Sequence, residues 1–187
     1  MCFGHRFAYT PDGKIGEYVF DECSKFGKEE NERMVNEVRA GISSLVDSLE
    51  TCATPLMKKI NGDFLERFER VRKAIKLPSI GNDGICYATQ FSIGVDYWSP
   101  IHVDNDFFYT ILSCLTPNEE DIGKILYYFC FPDYGIKIPM RSGDILVFNP
   151  LIKHSCSNPS LPGAYIFSAY VSDKTVKVHA KDYLNVK

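Results

Sequence analysis

The sequence predicts an α+β protein in which two helices come first and a run of short strands follows. Two observations predict this order. Apolar residues recur at steps of three and four between residues 28 and 75, and strand-length apolar segments alternate with turn residues after Gly84. Short strands at regular spacing are typical of a sandwich or a barrel. A length of 187 residues fits one domain, with residues 1–80 as helical support and residues 81–187 as the β core.

The chain is expected to be irregular up to the first helix. Residues 1–27 are rich in glycine and aromatic side chains and carry a turn signal at Pro11-Asp12-Gly13. The first helix is predicted from Lys28 to about Glu50, because its apolar residues form the stripe of an amphipathic helix. These residues are Met34, Val35, Val38, Ile42, Leu45, Val46 and Leu49.

A second helix is predicted to begin near Asp63, after a break at Asn61-Gly62, and to be closed by Pro78 and Gly81. Its opposite face mixes arginine and lysine with glutamate, which favours a solvent-exposed face over a nucleic acid contact. Both helices are expected to buttress one sheet of the β core. The apolar stripe consists of Phe64, Leu65, Phe68, Val71 and Ile75.

Six strands are predicted after Gly84 from runs of β-branched and aromatic residues. Turn residues such as Thr116-Pro117-Asn118 and Arg141-Ser142-Gly143-Asp144 separate them. The predicted strands are residues 85–93, 107–115, 124–131, 135–139, 144–149 and 165–172.

Composition excludes several classes of protein. With 24 acidic and 21 basic residues and a net charge of −3, the chain lacks the basic footprint of a sequence-independent nucleic acid binder. Its longest apolar run, Ile125–Phe131, is far below the ~18 residues of a membrane span, and no signal-peptide stretch opens the chain. Seven scattered cysteines without a Cys-x-x-Cys pair indicate reduced thiols, so an intracellular location, cytoplasmic or nuclear, is expected.

A His-x-Asp triplet, His102 to Asp104, is the strongest chemical feature. In an extended segment, positions i and i+2 point to the same side, so the imidazole and the carboxylate lie side by side. His154 follows at the end of a predicted strand, and in a jelly roll strands so far apart in sequence can become neighbours. Asp106 could replace Asp104 as a ligand, although the His-x-Asp spacing favours Asp104.

Two histidines and one carboxylate on one face match the facial triad of non-haem Fe(II) oxygenases. The alternative is structural: His102 would cap a turn, Asp104 would accept backbone hydrogen bonds, and His154 would lie on a loop. The two remaining histidines, His5 and His179, lie near the termini and are expected to be structural.

The order of these residues resembles the Fe(II)/2-oxoglutarate-dependent oxygenases, in which a His-x-Asp is followed about fifty residues later by a histidine after a Gly-Asp-apolar strand. The stretches 127–135 and 139–150 are similar to algal and fungal domains related to the ten-eleven-translocation/J-binding-protein group, which oxidises 5-methylpyrimidines. The resemblance covers residues 85–175 and implies a double-stranded β-helix, a jelly-roll or cupin-like core. It also implies that His102, Asp104 and His154 bind Fe(II) in a dioxygenase that hydroxylates a C–H bond with O₂ and 2-oxoglutarate.

One departure from the family concerns the cosubstrate carboxylate, which many members pair with an arginine or lysine on the strand after the distal histidine. Residues 163–172 contain neither. A cation could come from another strand, with Lys124 the best candidate ahead of Lys137 and Arg141. Alternatively ascorbate replaces 2-oxoglutarate, or hydroxyl groups bind the acid, the candidates being Tyr87, Tyr109, Tyr165 and Ser168.

Tyr97 and Trp98 precede the triplet and either line a substrate entrance or fill the mouth of the barrel. The resemblance implies a modified nucleobase in DNA or RNA as substrate. The negative net charge argues against strong nucleic acid binding, so a protein side chain or a small molecule is nearly as well supported. The alternative from another class is a non-catalytic jelly-roll binding module, in which His102, Asp104 and His154 do not converge.

Overall fold

The computed structural model describes residues 2–7, 15–19, 28–75, 77, 80 and 88–179, which form ten strands and two α-helices. Among these residues, neither helix is both long and apolar enough to cross a membrane. The helices are α1 (Lys28–Ile75) and α2 (Asp173–His179). The strands are β1 (Cys2–Phe7), β2 (Ile15–Val19), β3 (Gln90–Val95), β4 (Ser99–His102), β5 (Thr110–Leu115), β6 (Ile125–Phe131), β7 (Ile136–Arg141), β8 (Ile145–Phe148), β9 (His154–Cys156) and β10 (Tyr165–Tyr170).

The strands form two antiparallel sheets that enclose a cavity. One sheet has six strands in the order β2-β1-β3-β10-β5-β8, and the other has four in the order β4-β9-β6-β7. Apolar side chains from both sheets, including Leu112, Phe129 and Ile166, pack into one cluster between them. The α+β prediction is confirmed, and the two sheets form a jelly roll, as the resemblance implies.

Most predicted strands lie where the sequence places them, but β4 and β9 were not predicted as separate strands. His154 was predicted to end the strand that contains residues 144–149; instead β8 stops at Phe148 and His154 begins β9. The cause is a tight turn in which Asn149 accepts hydrogen bonds from the amides of Leu151 (3.0 Å) and Ile152 (3.2 Å). This turn reverses the chain and moves His154 into the other sheet.

The expectation that residues 1–27 are irregular is wrong for the part that the structure describes. β1 pairs antiparallel with β2, and Cys2 to Gly4 pair with Gln90 to Ser92 of β3, so both strands extend the six-stranded sheet. The turn signal at Pro11-Asp12-Gly13 lies outside the described residues. The described part of this glycine- and aromatic-rich segment therefore consists of two paired strands and is not irregular.

Helix α1 consists of two helical segments joined at Asn61, whose backbone is not helical (φ −159°, ψ 76°). The predicted break at Asn61-Gly62 is confirmed, and the Asn61 Oδ1 atom accepts a hydrogen bond from the Phe64 amide at 3.1 Å, capping the second segment. The predicted end near Glu50 is wrong, because the first segment continues through Pro55. Ala53 and Met57 extend its buried stripe beyond Glu50, so packing outweighs the helix-breaking effect of the proline.

α1 packs on the outer face of the six-stranded sheet and buttresses it, as predicted. Phe64 and Phe68 stack on Phe108, with ring centroids 5.3 and 5.0 Å apart. The buried Glu50 carboxylate accepts a hydrogen bond from the Ala88 amide at 2.7 Å, which attaches the helix to the chain just before β3. The predicted helix end at Pro78 and Gly81, and residues 85–87 of the first predicted strand, lie outside the described residues.

The cap at Asn61 leads to a test of stability. Asn61→Ala removes the acceptor for the Phe64 amide and is expected to lower the free energy of unfolding by about 1 kcal/mol. Asn61→Asp keeps an acceptor of equal capping strength and is expected to unfold at the wild-type urea concentration. Urea unfolding followed by circular dichroism makes the comparison; equal loss in both variants would show that the cap does not stabilise the helix.

Candidate metal centre

The candidate site lies where β4 meets β9. His102 ends β4, His154 begins β9, and the two are paired in register, with ring centroids 4.4 Å apart. Asp104 follows in a loop whose amide donates a hydrogen bond to the Pro150 carbonyl at 3.0 Å, so this loop is attached to the turn that precedes His154. Potential ligand atoms of the three side chains all lie within 4.8 Å of one another. The fold thus brings together the three residues that the sequence analysis selected.

Backbone carbonyls orient both imidazoles. Nδ1 of His102 lies 2.7 Å from the Pro100 carbonyl, and Nδ1 of His154 lies 2.8 Å from the Ile152 carbonyl. Because a carbonyl oxygen can only accept, each Nδ1 carries a proton, and in the neutral imidazole the lone pair is therefore on Nε2. Both Nε2 atoms face Asp104, at 3.7 Å from Oδ1 for His102 and 3.2 Å from Oδ2 for His154. A histidine that donates from one nitrogen to a carbonyl and presents the other is the usual arrangement of a metal ligand.

His154 is held more rigidly than His102. It is only 2% exposed and packs between the rings of Phe129 (5.4 Å) and Phe148 (4.9 Å). Burial by itself lowers the pKa of His154, but the hydrogen bonds to the Asp104 carboxylate and to the Ile152 carbonyl outweigh it, so the pKa is raised overall. The Asp104 carboxylate and the two imidazoles therefore form one electrostatic unit.

Asp106 is a charged neighbour of this unit, and its negative charge also contributes to raising the pKa of His154. Its carboxylate accepts a hydrogen bond from the Thr110 hydroxyl at 3.2 Å, and it is absent from the cluster of converging ligand atoms found among the described residues. Burial and the neighbouring Asp104 charge raise the pKa of Asp106 to about 7. The structure thus favours Asp104 over Asp106 as the carboxylate of the triad.

A cavity of about 1090 Å³ opens over the triad between the two sheets. Its size matches the upper range of small-molecule sites, with room for more than one small ligand. Hydroxyl groups line the wall that β3 and β10 form, where the Ser92 Oγ and Tyr170 Oη atoms lie 3.2 Å apart. Apolar side chains line the facing wall, among them Leu112, Phe129 and Phe148.

Two of the other predicted site residues line this cavity. Ser168 lies on β10, in register with Ser92, and Tyr97 lies at the turn between β3 and β4. A Cβ atom at Gly94 would lie 2.9 Å from the Tyr97 Cβ atom, so the absence of a side chain at Gly94 is what lets Tyr97 fold over the end of β3. Trp98 is 57% exposed and is not among the described residues that line the cavity.

Among the described residues, the remaining cosubstrate candidates are not part of the cavity lining. Lys124 lies on the surface, where its ammonium pairs with Asp121 at 2.8 Å in the turn before β6. Tyr109 packs against the cluster beneath α1, with its ring 5.0 Å from that of Phe108. Tyr165 is half-buried at the start of β10, outside the described lining, and Tyr87 lies outside the described residues.

Sequence reasoning missed the two cations that do line the cavity, Lys174 and Lys177. Both lie on α2 (Asp173–His179), and no element is predicted after the strand at residues 165–172. Their spacing of three residues places them on one side of a helical turn, and this spacing was the signal that could have identified them. Lys177 pairs with Asp173 at 2.5 Å.

Comparisons with known proteins support the fold. No protein-family model and no curated protein matches the chain. A solved structure of NgTET1 in complex with 5mC DNA is similar with a TM-score of 0.56 at 17% identity, covering 93% of this chain and 61% of that one. A Cupin 2 conserved barrel domain protein from Salinispora arenicola matches with a TM-score of 0.33 at 17% identity, over 50% of this chain and 70% of that one.

The similarity to NgTET1 is one of fold, and it confirms the double-stranded β-helix that the sequence resemblance implies. This chain spans less than two thirds of the NgTET1 chain, so the similarity does not extend over the whole of that protein. The fold class predicted from sequence, an α+β chain with a jelly-roll core and a helical buttress, is therefore correct.

The triad geometry leads to a paired test with Asp104 and Asp106. Asp104→Ala is expected to weaken Co(II) binding by at least about 100-fold, because a direct ligand contributes more than the outer-shell groups whose loss costs 10- to 100-fold. Asp106→Asn keeps a side chain of equal shape and is expected to bind Co(II) like the wild type. Anaerobic titration followed by the visible absorption of Co(II) measures both; a larger loss in the Asp106 variant would contradict the assignment.

Proposed function

We propose that this chain is a mononuclear non-haem Fe(II) dioxygenase. The observation that carries the proposal is the convergence of two imidazole Nε2 atoms on one carboxylate at the end of a large cavity, with each Nδ1 proton already bonded to a backbone carbonyl. Two histidines and one carboxylate on one face of a site leave coordination positions open for other ligands. The double-stranded β-helix fold supports this interpretation.

His102, Asp104 and His154 would hold the iron. Neutral imidazole and carboxylate are ligands suited to Fe(II), and the three residues supply one negative charge against two positive charges. When bound, Fe(II) supplies the activation of O₂ for oxidation of a C–H bond, with one oxygen atom going to the substrate and the other to the succinate formed as 2-oxoglutarate loses CO₂. The residues of the chain orient the ligands, provide an apolar wall and limit the access of water.

2-Oxoglutarate is the first candidate for the cosubstrate. Ser168, with the Ser92 and Tyr170 hydroxyls beside it, offers hydrogen-bond donors on the cavity wall for a ligand chelated at the metal. Ascorbate is the alternative electron donor, and it has support of its own: no lysine or arginine lies among the cavity-lining residues of β3 to β10 that the structure describes.

The substrate we propose is a modified nucleobase, a protein side chain or a small molecule. NgTET1 was solved with 5mC DNA, which supports a nucleic acid substrate, whereas the net charge of −3 opposes strong phosphate binding by this chain alone. Tyr97 lines the cavity and would contact a flat group by stacking. An intracellular location is the one we propose, since free thiols such as those of Cys114 and Cys156 are typical of a reducing compartment.

The test is turnover of the cosubstrates. The Fe(II)-loaded chain is expected to consume O₂ and release succinate from 2-oxoglutarate even without its substrate, at a slow uncoupled rate. His102→Ala is expected to lose at least about 100-fold of this rate, because one ligand of three is removed. Oxygen-electrode and succinate measurements check both, with ascorbate alone as a parallel reaction.

Other outcomes of the same experiment separate the rival functions. Oxygen uptake with ascorbate and none with 2-oxoglutarate would replace the cosubstrate and keep the iron enzyme. Absence of Fe(II) binding in the wild-type chain would overturn the proposal in favour of a non-catalytic binding module.

A further inference from the structure

The cations of the cavity come from α2, the short helix that follows the last strand. Lys174 and Lys177 line the cavity, and they are the only lysine or arginine residues in the part of its lining that the structure describes. Both side chains reach it from an exposed helix surface, while the buried Thr175 and Val176 between them anchor α2 to the fold. Both lysines are exposed residues, and the side chain of Lys177 is 65% exposed.

α2 lies at the same end of the barrel as the triad. Asp106, just beyond the triad loop, forms an isolated antiparallel bridge with Ser172, the residue before α2. The Phe107 amide also donates a hydrogen bond to the Val171 carbonyl at 2.9 Å. The loop that carries Asp104 is thus joined to the segment that leads into Lys174, and both lysines line the same cavity as the three candidate metal ligands.

The opposite end of the cavity has no cation among its described residues. It is lined by Gly94, Tyr97, Ser99, Cys156 and Ile166. The Ser99 Oγ atom is already engaged, accepting the Cys156 amide at 3.0 Å in the pairing of β4 with β9. A carboxylate placed there would lose its hydration without gaining an opposite charge, which is strongly unfavourable.

We propose that Lys174 and Lys177 form the binding site for the distal carboxylate of a dicarboxylic 2-oxo acid whose 2-oxo and C1 carboxylate oxygens chelate the metal. The inference rests on the proposed iron site and deepens it by naming the residues that select the cosubstrate. The carboxylate site is at the mouth of the barrel, on a helix, and not on the strand that follows the distal histidine. Charge-assisted hydrogen bonds from the two ammonium groups would favour 2-oxoglutarate over an uncharged-tail analogue.

Asp173 positions one of the two lysines of this site. Its carboxylate pairs with Lys177 at 2.5 Å, on the same turn of α2, and holds that ammonium group near the mouth. The cavity lining also contains Asp104 and Asp106, so the dianion has to be balanced by the metal and the two lysines together. This balance predicts that the dicarboxylate binds the mouth only when a divalent metal occupies the triad.

The experiment compares two 2-oxo acids that chelate iron in the same way. 2-Oxoglutarate and 2-oxobutyrate share the chelating end, and only the first has a distal carboxylate. Each is titrated anaerobically into the Fe(II)-loaded chain, and binding is followed by the metal-to-ligand charge-transfer absorption, which needs no turnover. In the wild type, 2-oxoglutarate is expected to bind at least about tenfold more tightly than 2-oxobutyrate.

The Lys174→Gln/Lys177→Gln variant is expected to lose about tenfold in affinity for 2-oxoglutarate and nothing for 2-oxobutyrate. The matched control is Lys58→Gln/Lys59→Gln, which removes the same charge from exposed positions on α1 that are not in the described lining. Lys174→Arg/Lys177→Arg keeps both charges and is expected to retain the preference. Circular dichroism verifies that each variant is folded.

Three results would overturn the inference. Equal affinity of the wild type for both acids would show that the distal carboxylate is not recognised, and unchanged 2-oxoglutarate affinity in the Gln variant would assign the lysines to a substrate anion instead. In both cases chelation at the iron stands, so the proposed function survives. Failure of both acids to bind the Fe(II)-loaded wild type would overturn the use of 2-oxo acids as well.

Discussion

The pairing of β4 with β9 is the contact on which the candidate centre depends. It sets His102 opposite His154, and the bond from the Asp104 amide to the Pro150 carbonyl brings the carboxylate to the same place. Each histidine is oriented by the carbonyl two residues before it, so the local backbone of each strand end also fixes a tautomer. A metal site of this kind is assembled by strand pairing, and its precision comes from the stiffness of the two sheets.

Two layers of packing support the sheets that carry the candidate centre. Between the sheets, Phe129 and Phe148 pack on each other and on His154, so the buried imidazole is part of the apolar core. Outside the six-stranded sheet, α1 covers the other face through stacked phenylalanine rings and through the buried Glu50 carboxylate. The first layer packs directly on His154, and the second packs on the sheet that carries one wall of the cavity.

The mouth of the cavity combines opposite charges within a short distance. Asp104 and Asp106 lie on the triad side, and Asp173, Lys174 and Lys177 lie on α2. Under the proposed function, such a mouth would favour anionic ligands only when a cation is bound at the triad, which would couple cosubstrate binding to metal binding. Lys124, which pairs with Asp121 on the surface, differs from these lysines in that it is not part of the described cavity lining.

Sequence alone was sufficient to predict the features that depend on neighbouring residues: the helix stripes, the break at Asn61, and the placement of His102 and Asp104 on one side of the chain. The predicted order, with the helices before all strands, is wrong, because β1 and β2 precede α1 and α2 follows β10. The sequence also shows that residues 163–172 contain no lysine or arginine. Only the tertiary structure decided that β1 and β2 extend the sheet, that His154 begins a new strand opposite His102, and that Lys174 and Lys177 rather than Lys124 reach the cavity. The physical reason is that periodicity and turn preference are local free energies, whereas the approach of strands fifty residues apart depends on the packing of the whole core.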